Sequence, residues 1–209
     1  MNEATMHPEP AAAPNAESTI RFFDALSEKW ESELEPCGAK HAATAFLAQA
    51  CEGATVLDIG CGTGIMAQAY LDAGASRILG IDIAPQMIAI AQRKFEGNDR
   101  VEFLAADIYG LETDMRFDSV VVYNAYPHFI NKEALARKVA ELLVPGGRFL
   151  VAHGMSRHAI NEHHGCVPAE VCTHLESAAD CSKDWQPLFD IDECIDTDRY
   201  FCFGGTLRR

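Results

Sequence analysis

Between residues 55 and 154 the chain alternates between short runs rich in Val, Ile and Leu and segments whose apolar residues recur at helical spacing. The strand-like runs are 55–59 (TVLDI), 77–83 (RILGIDI), 101–108 (VEFLAADI), 117–124 (FDSVVVYN) and 147–154 (GRFLVAHG), and helical patterns fill 65–74, 84–95 and 131–143. Strands this uniformly apolar have no face to offer to water, so both faces of their sheet must be covered, and the intervening helices are what cover them. The alternation predicts an α/β, doubly wound, Rossmann-like sheet of mostly parallel strands. A helix is expected over 168–179, followed by two strand-like runs, PLFDIDECID and RYFCFGGTLRR, with only Thr197 and Asp198 between them. So short a link makes a hairpin, and the sheet should end in an antiparallel pair. Two amphipathic helical patterns, 19–30 and 39–51, precede the first strand. The Pro/Ala-rich residues 1–17 have too little apolar surface to order themselves and are expected to be a disordered arm, leaving 18–209 as one domain.

The formal charge of −14 at pH 7 sets the partners. Such a surface repels nucleic acid phosphates and anionic lipid, which favours a small molecule over nucleic acid or membrane. The eight cysteines include no C-x-x-C pair, and a chain of this size needs no disulfide staples; they read as reduced thiols of a cytoplasmic protein. The opening segment has neither a basic n-region nor an apolar h-region, and no stretch approaches the roughly 20 apolar residues of a membrane span.

The turn after the first strand carries the ligand chemistry. In an open parallel sheet the ligand crevice lies beyond the carboxyl ends of the strands, and Gly60, Gly62 and Gly64 stand at such an end. Asp82, 18 residues after Gly64 at the tip of the next strand, is placed to accept hydrogen bonds from ribose hydroxyls. The dinucleotide fingerprint G-x-G-x-x-G would need glycine where this chain has Ile65. Asp58, on the strand just before the loop, would repel a pyrophosphate but hold an ammonium group. The ligand with an amino acid at one end and adenosine at the other is S-adenosylmethionine.

These motifs resemble those of the class I S-adenosylmethionine-dependent methyltransferases, in the small-molecule branch called type 11 or ubiquinone/menaquinone-like. VLDIGCGTG is similar to the family's first motif, which implies that Asp58, Gly60, Cys61, Gly62 and Gly64 line the methionine end of the cofactor. GIDIAPQMI is similar to the second, implying Asp82 at the ribose and Ile83 and Met87 at the adenine. AADI resembles the third, with Asp107 near the adenine amino group and Ile108 on its ring; FDSVVVYNAYPHF, including Asn124, occupies the place of the fourth. FFDALSEKW resembles a segment that folds over the cofactor, so 18–50 would form a helical lid. The resemblance also implies a seven-stranded sheet with an antiparallel last strand.

Methyl transfer from a sulfonium needs positioning and desolvation, and it needs a base only when the nucleophile arrives protonated. The candidates lie where the fourth and fifth strands end. Tyr126 and His128 follow the fourth, and His153 closes the fifth, ahead of a helix capped by Ser156 on which Arg157, Asn161 and His164 share one face. His128 and His153 are the expected catalytic contacts, with Tyr126 and Arg157 facing substrate and Arg157 suited to a carboxylate. No metal ligand is assigned. Two rival readings stay open: a sensor that binds the cofactor without turnover, and a metal held by the histidine cluster at these two strand ends.

Overall fold

The computed structural model describes residues 15–30, 38–165 and 167–209. Two helices lead in, α1 (Ala16–Leu26) and α2 (Gly38–Leu47). Then β1 (Thr55–Ile59), α3 (Ala67–Asp72), β2 (Arg77–Asp82), α4 (Pro85–Lys94), β3 (Val101–Ala105), β4 (Phe117–Tyr123), α5 (Lys132–Leu142) and β5 (Leu143–His153) alternate as the apolar pattern requires. The chain closes with α6 (Arg157–His164), a one-turn α7 (Ala178–Cys181), β6 (Phe189–Asp196) and β7 (Phe201–Leu207). The seven strands order as β3-β2-β1-β4-β5-β7-β6, with β1 to β5 parallel and β7 antiparallel to both its neighbours. Strand order reverses beside β1, so the crevice opens between the carboxyl ends of β1 and β4.

Period-two alternation divides the core between the two faces of the sheet. Leu57, Ile59, Val120, Val122, Phe149 and Val151 pack on one side with Trp185, Phe201 and Phe203, while Val56, Val121, Leu150 and Ala152 pack on the other with Tyr70 of α3. The Trp185 indole stacks on Phe149 with ring centroids 4.1 Å apart, which seats the C-terminal segment on the sheet.

Local chemistry sets the helix starts. Asn15 accepts a hydrogen bond from Ser18 N–H at 2.9 Å, Asn131 from Ala134 N–H at 2.8 Å and Ser156 from Ala159 N–H at 3.1 Å, while Pro85 opens α4. The first cap starts α1 at Ala16, inside the span expected to be a loose arm; the rest of that expectation, residues 1–14, lies outside the described residues, as do 31–37 of the expected lid.

One element differs from expectation. Of the predicted 168–179 helix only Ala178 and Ala179 are helical, as the start of Ala178–Cys181. Residues 171–175 instead form a strap held from outside: Thr173 N–H donates to Pro127 O at 2.9 Å, and Leu175 exchanges two hydrogen bonds with the Asn161 side chain, at 2.9 and 3.0 Å. Those tertiary bonds replace the helix's own. Among the described residues no helix is long and apolar enough to cross a membrane, and Cys51, Cys61, Cys172, Cys181, Cys194 and Cys202 are free thiols.

Candidate active site

A cleft opens above the carboxyl ends of β1, β2 and β4, where the ligand crevice of an open parallel sheet lies. Ten of the sequence-assigned residues line it: Gly60, Cys61, Gly62, Asp82, Ile83, Met87, Asp107, Ile108, Asn124 and His128. Ala16, Thr19 and Phe23, one stripe of α1, cover the mouth together with Trp30. Asp24 holds this cover on the domain by accepting from Gln86 N–H at 2.9 Å, and the Asn15 amide donates to Glu170 O at 2.8 Å.

The loop between β1 and α3 is tied to β2 by one carboxylate. Asp82 accepts from Gly62 N–H and from Ala84 N–H, both at 2.9 Å. Burial raises its pKa, and these amides hold it back down. A carboxylate has about four lone-pair sites, so Asp82 retains acceptor capacity for a ribose while it braces the loop. Asp82→Ala should weaken binding of S-adenosylhomocysteine by about 1–3 kcal/mol, because charge-assisted bonds to the ligand and the brace are lost together. Calorimetric titration reads this directly, and unchanged affinity would place the ribose elsewhere.

Two residues expected to line the methionine end sit behind it. Asp58 is 2% exposed and its Oδ1 has no hydrogen-bond partner; burial first and the nearby Asp82 second raise its pKa to about 7, opposed by the Tyr70 hydroxyl. Gly64 faces β3, where an added Cβ would fall 2.8 Å from Phe103 Cζ. Its role is the close approach of loop and strand, not ligand contact. Gly62 is the opposite case, since a Cβ there would meet only Trp30 Nε1, at 3.7 Å. The open space above Gly62 and the orphaned carboxylate oxygen beneath the loop are what a bound amino-acid sulfonium requires, so the residues fit S-adenosylmethionine.

At the acceptor end the chain turns sharply. Asn124 adopts φ 55°, and its side-chain oxygen accepts from Gly154 N–H at 2.9 Å, joining the ends of β4 and β5. His128 follows in a 3-10 turn (Tyr126–His128) and lines the cleft, its ring 4.9 Å from the Phe23 ring of α1 and 5.2 Å from His164. His128 Nδ1 lies 2.9 Å from Val171 O. A carbonyl only accepts, so Nδ1 carries the proton and Nε2 has the lone pair. Desolvation lowers the His128 pKa to about 4, the Val171 bond opposing it and the charges of His164 and Lys132 adding to it.

The other three acceptor-end assignments are corrected. His153, 2% exposed, falls by strand alternation on the face packed by Phe201, 5.7 Å from that ring, and is not part of the cleft wall. Tyr126 is core: its ring lies 5.3 Å from Phe203, and its hydroxyl accepts from Trp185 Nε1 at 3.3 Å. Arg157 is engaged by Asp196 of β6 at 3.0 Å. His158 pairs with Glu162 at 3.4 Å on the solvent face of α6. Among the described residues no three His, Cys, Asp or Glu side chains converge as metal ligands.

Tyr109, Ala125, Phe129 and Ile130 also belong to the wall, and the sequence did not mark them. They sit in the short connections after β3 and β4, where no periodicity marks them. The only available signal was position just after the third and fourth motifs.

Residues 56–147 match the family described as a methyltransferase domain. The chain is 32% identical over 150 residues to a ubiquinone biosynthesis O-methyltransferase of Bordetella avium, covering 66% of this chain and 62% of that protein. It is 26% identical over 166 residues to the mitochondrial enzyme of that name from Dictyostelium discoideum, covering 70% and 51%. The chain thus spans less than two thirds of the length of these relatives. In fold it is similar to the N-methyltransferase NodS of Bradyrhizobium japonicum in complex with S-adenosyl-L-homocysteine (TM-score 0.71, 16% identity, 93% of this chain and all of that one). The DhpI–SAH complex is equally near, with TM-score 0.73 and 19% identity over 92% and 97% of the chains.

Proposed function

The chain belongs to the class I S-adenosylmethionine-dependent methyltransferases, and on that premise we propose that it is a cytoplasmic enzyme that methylates a small molecule held in the cleft beside His128. The observation that carries this reading is the cleft itself: the Gly62 backbone open to a ligand, Asp82 beside it, and His128 facing the same space. The names of the relatives, ubiquinone O-methyltransferases, support a small acceptor.

When bound, S-adenosylmethionine supplies a methyl group activated on a sulfonium. Asp82 and the Gly62 backbone would hold the ribose and methionine portions, with Ile83, Met87 and Ile108 against the adenine and Asp107 at its amino edge. Asp58 would offset the ammonium charge from beneath the loop. Phe23 of α1 and Trp30 close the cleft and exclude water, which strengthens every charge interaction inside. His128 Nε2, the only ring nitrogen of that residue without a proton, takes the proton of the acceptor as its bond to carbon forms.

Calorimetric titration with S-adenosylmethionine and with S-adenosylhomocysteine tests the cofactor half, and binding of neither removes the proposal. His128→Gln tests the other half: turnover should fall roughly 10²–10⁴-fold while affinity for S-adenosylhomocysteine stays within about threefold. Equal loss of both would mark His128 as structural. A sensor without turnover would bind both nucleosides and methylate none of the thiols and phenols offered to it.

A further inference from the structure

Another recess of the molecule lies apart from the cleft. A groove of about 780 Å³ runs between α2 and α3, within the roughly 300–1,000 Å³ of small-molecule sites. Ala42, Ala45 and Phe46 of α2 line one side, Ile65 and Ala69 the other, and Arg148 of β5 and Glu193 of β6 also line it. Among the described residues Ile65 alone is shared with the cleft, so the two spaces are distinct.

The polar part of this groove is an ion pair left incomplete. Arg148 is only 4% exposed, and a cation so buried needs partners. Its Nε donates to Leu47 O at 2.6 Å and its Nη1 to Asp192 at 2.8 Å. For Nη2 the nearest acid is Glu193, whose Oε1 lies 3.9 Å away, beyond hydrogen-bonding reach. Successive strand residues ordinarily point to opposite faces, yet Asp192 and Glu193 both approach the guanidinium. The cause is a bulge, a register shift between Ile191 and Glu193 in the pairing of β6 with β7. One carboxylate already balances the charge. The second leaves an N–H donor and a carboxylate acceptor side by side, unbonded to each other, on the wall of a mostly apolar groove.

These groups select by charge. An anion would meet Asp72, Asp192 and Glu193 against one guanidinium, and a cation would stand beside Arg148. A neutral molecule with a carbonyl next to an N–H suits both groups, because the carbonyl accepts from Nη2 while the N–H donates to Glu193. Both bonds are charge-assisted. Its body should be flat and apolar, since alanines line the two helices and Phe46, 82% exposed, offers a ring that the fold leaves uncovered. We propose that the groove is a second ligand site, for a neutral, flat, apolar molecule whose lactam-type edge is held by Arg148 and Glu193. The site does not depend on the methyl-transfer reading, and neither does its test.

Carbostyril, a planar lactam, is the probe, titrated calorimetrically into the full chain beside three relatives of similar size. N-methylcarbostyril lacks the N–H, naphthoate is an anion and N-methylquinolinium a cation. Carbostyril should bind about tenfold or more tightly than each of them, the difference that one charge-assisted bond or one opposed charge makes. Two variants locate the binding, with urea denaturation showing that each is folded. Ala42→Trp, at an exposed position on the groove wall, fills the space and should weaken carbostyril binding about tenfold or more. Glu193→Ala removes the acceptor and should bring carbostyril and N-methylcarbostyril to within about threefold of each other. Binding that Ala42→Trp leaves untouched belongs to another site and overturns the proposal, as does equal binding of the four probes. Failure of carbostyril to bind at millimolar concentration also overturns it, and leaves a water molecule as the bridge between Nη2 and Glu193.

Discussion

Gly62→Val will abolish cofactor binding in a protein that still folds, and Gly64→Ala will destabilise the fold while sparing the ligand space. Both glycines have left-handed backbones, φ 53° and 76°, so either substitution costs about 1–2 kcal/mol of backbone strain. They differ in what the new atoms meet. At Gly62 a Cβ has only Trp30 Nε1 within 4 Å, so an isopropyl group stands in the space a ligand would fill, and affinity should drop by about 3 kcal/mol or more, roughly a hundredfold. At Gly64 a Cβ lies 2.8 Å from Phe103 Cζ and 3.1 Å from its Cε1, inside a buried contact that joins the loop to β3. Overpacking adds about 1–3 kcal/mol to the strain, so Gly64→Ala should lose about 2–5 kcal/mol of stability. Chemical denaturation and calorimetric titration of each variant, normalised to the folded fraction, separate the two effects. Tight binding by Gly62→Val would show that the ligand does not approach the loop backbone. Stability unchanged in Gly64→Ala would show that loop and strand can part.

The parallel sheet was readable because burial on both faces forces an unbroken apolar run, a signal carried by each strand alone. The cleft lining over β1 to β3 was readable for a related reason: Gly62, Asp82 and Asp107 lie at or beyond strand tips, where sequence position and place in the crevice coincide. At the acceptor end that coincidence fails. His153 and Tyr126 are also near strand tips, yet alternation and the turn at Asn124 send them to the core face, against Phe201 and Trp185. Whether a residue at a strand end points outward depends on one step of register, which composition does not mark. The 168–177 segment was misread for a different cause. It is held by hydrogen bonds with Pro127, His128 and Asn161, residues 14 to 46 positions away, and no local window contains them. One of those bonds, between His128 and Val171 O, fixes the His128 tautomer, so the feature behind the proposed base was the one least visible beforehand.

Asp58→Asn should stabilise the ligand-free protein and weaken its cofactor affinity at once. In the unfolded chain this carboxyl ionises near its ordinary 3.8, whereas in the fold burial and Asp82 hold its proton until about 7. Over that interval the folded protein binds the proton more tightly than the unfolded chain, so its stability falls as pH rises from about 4 to about 7 and stays reduced above. The groups facing Asp58 explain why so little offsets this: Asp82 from β2 is another acid, the Tyr70 hydroxyl from α3 opposes the rise but carries no charge, and Cys61 is a thiol whose pKa is itself raised by burial and by these two acids. Asparagine removes the ionisation, so near pH 8 the variant should exceed the wild type by a few kcal/mol, with the difference vanishing toward pH 3. A cationic amino group above the loop reverses the balance, because it favours the ionised Asp58 and expels the proton. Wild-type binding of S-adenosylhomocysteine should therefore strengthen as pH rises from 6 to 8 and release a proton, seen as a binding heat that depends on the ionisation enthalpy of the buffer. In Asp58→Asn both the pH dependence and the proton release should disappear. If the variant binds as tightly as the wild type and with the same pH profile, the ammonium of the cofactor is held by some other group, and the buried acid is only a cost to the fold.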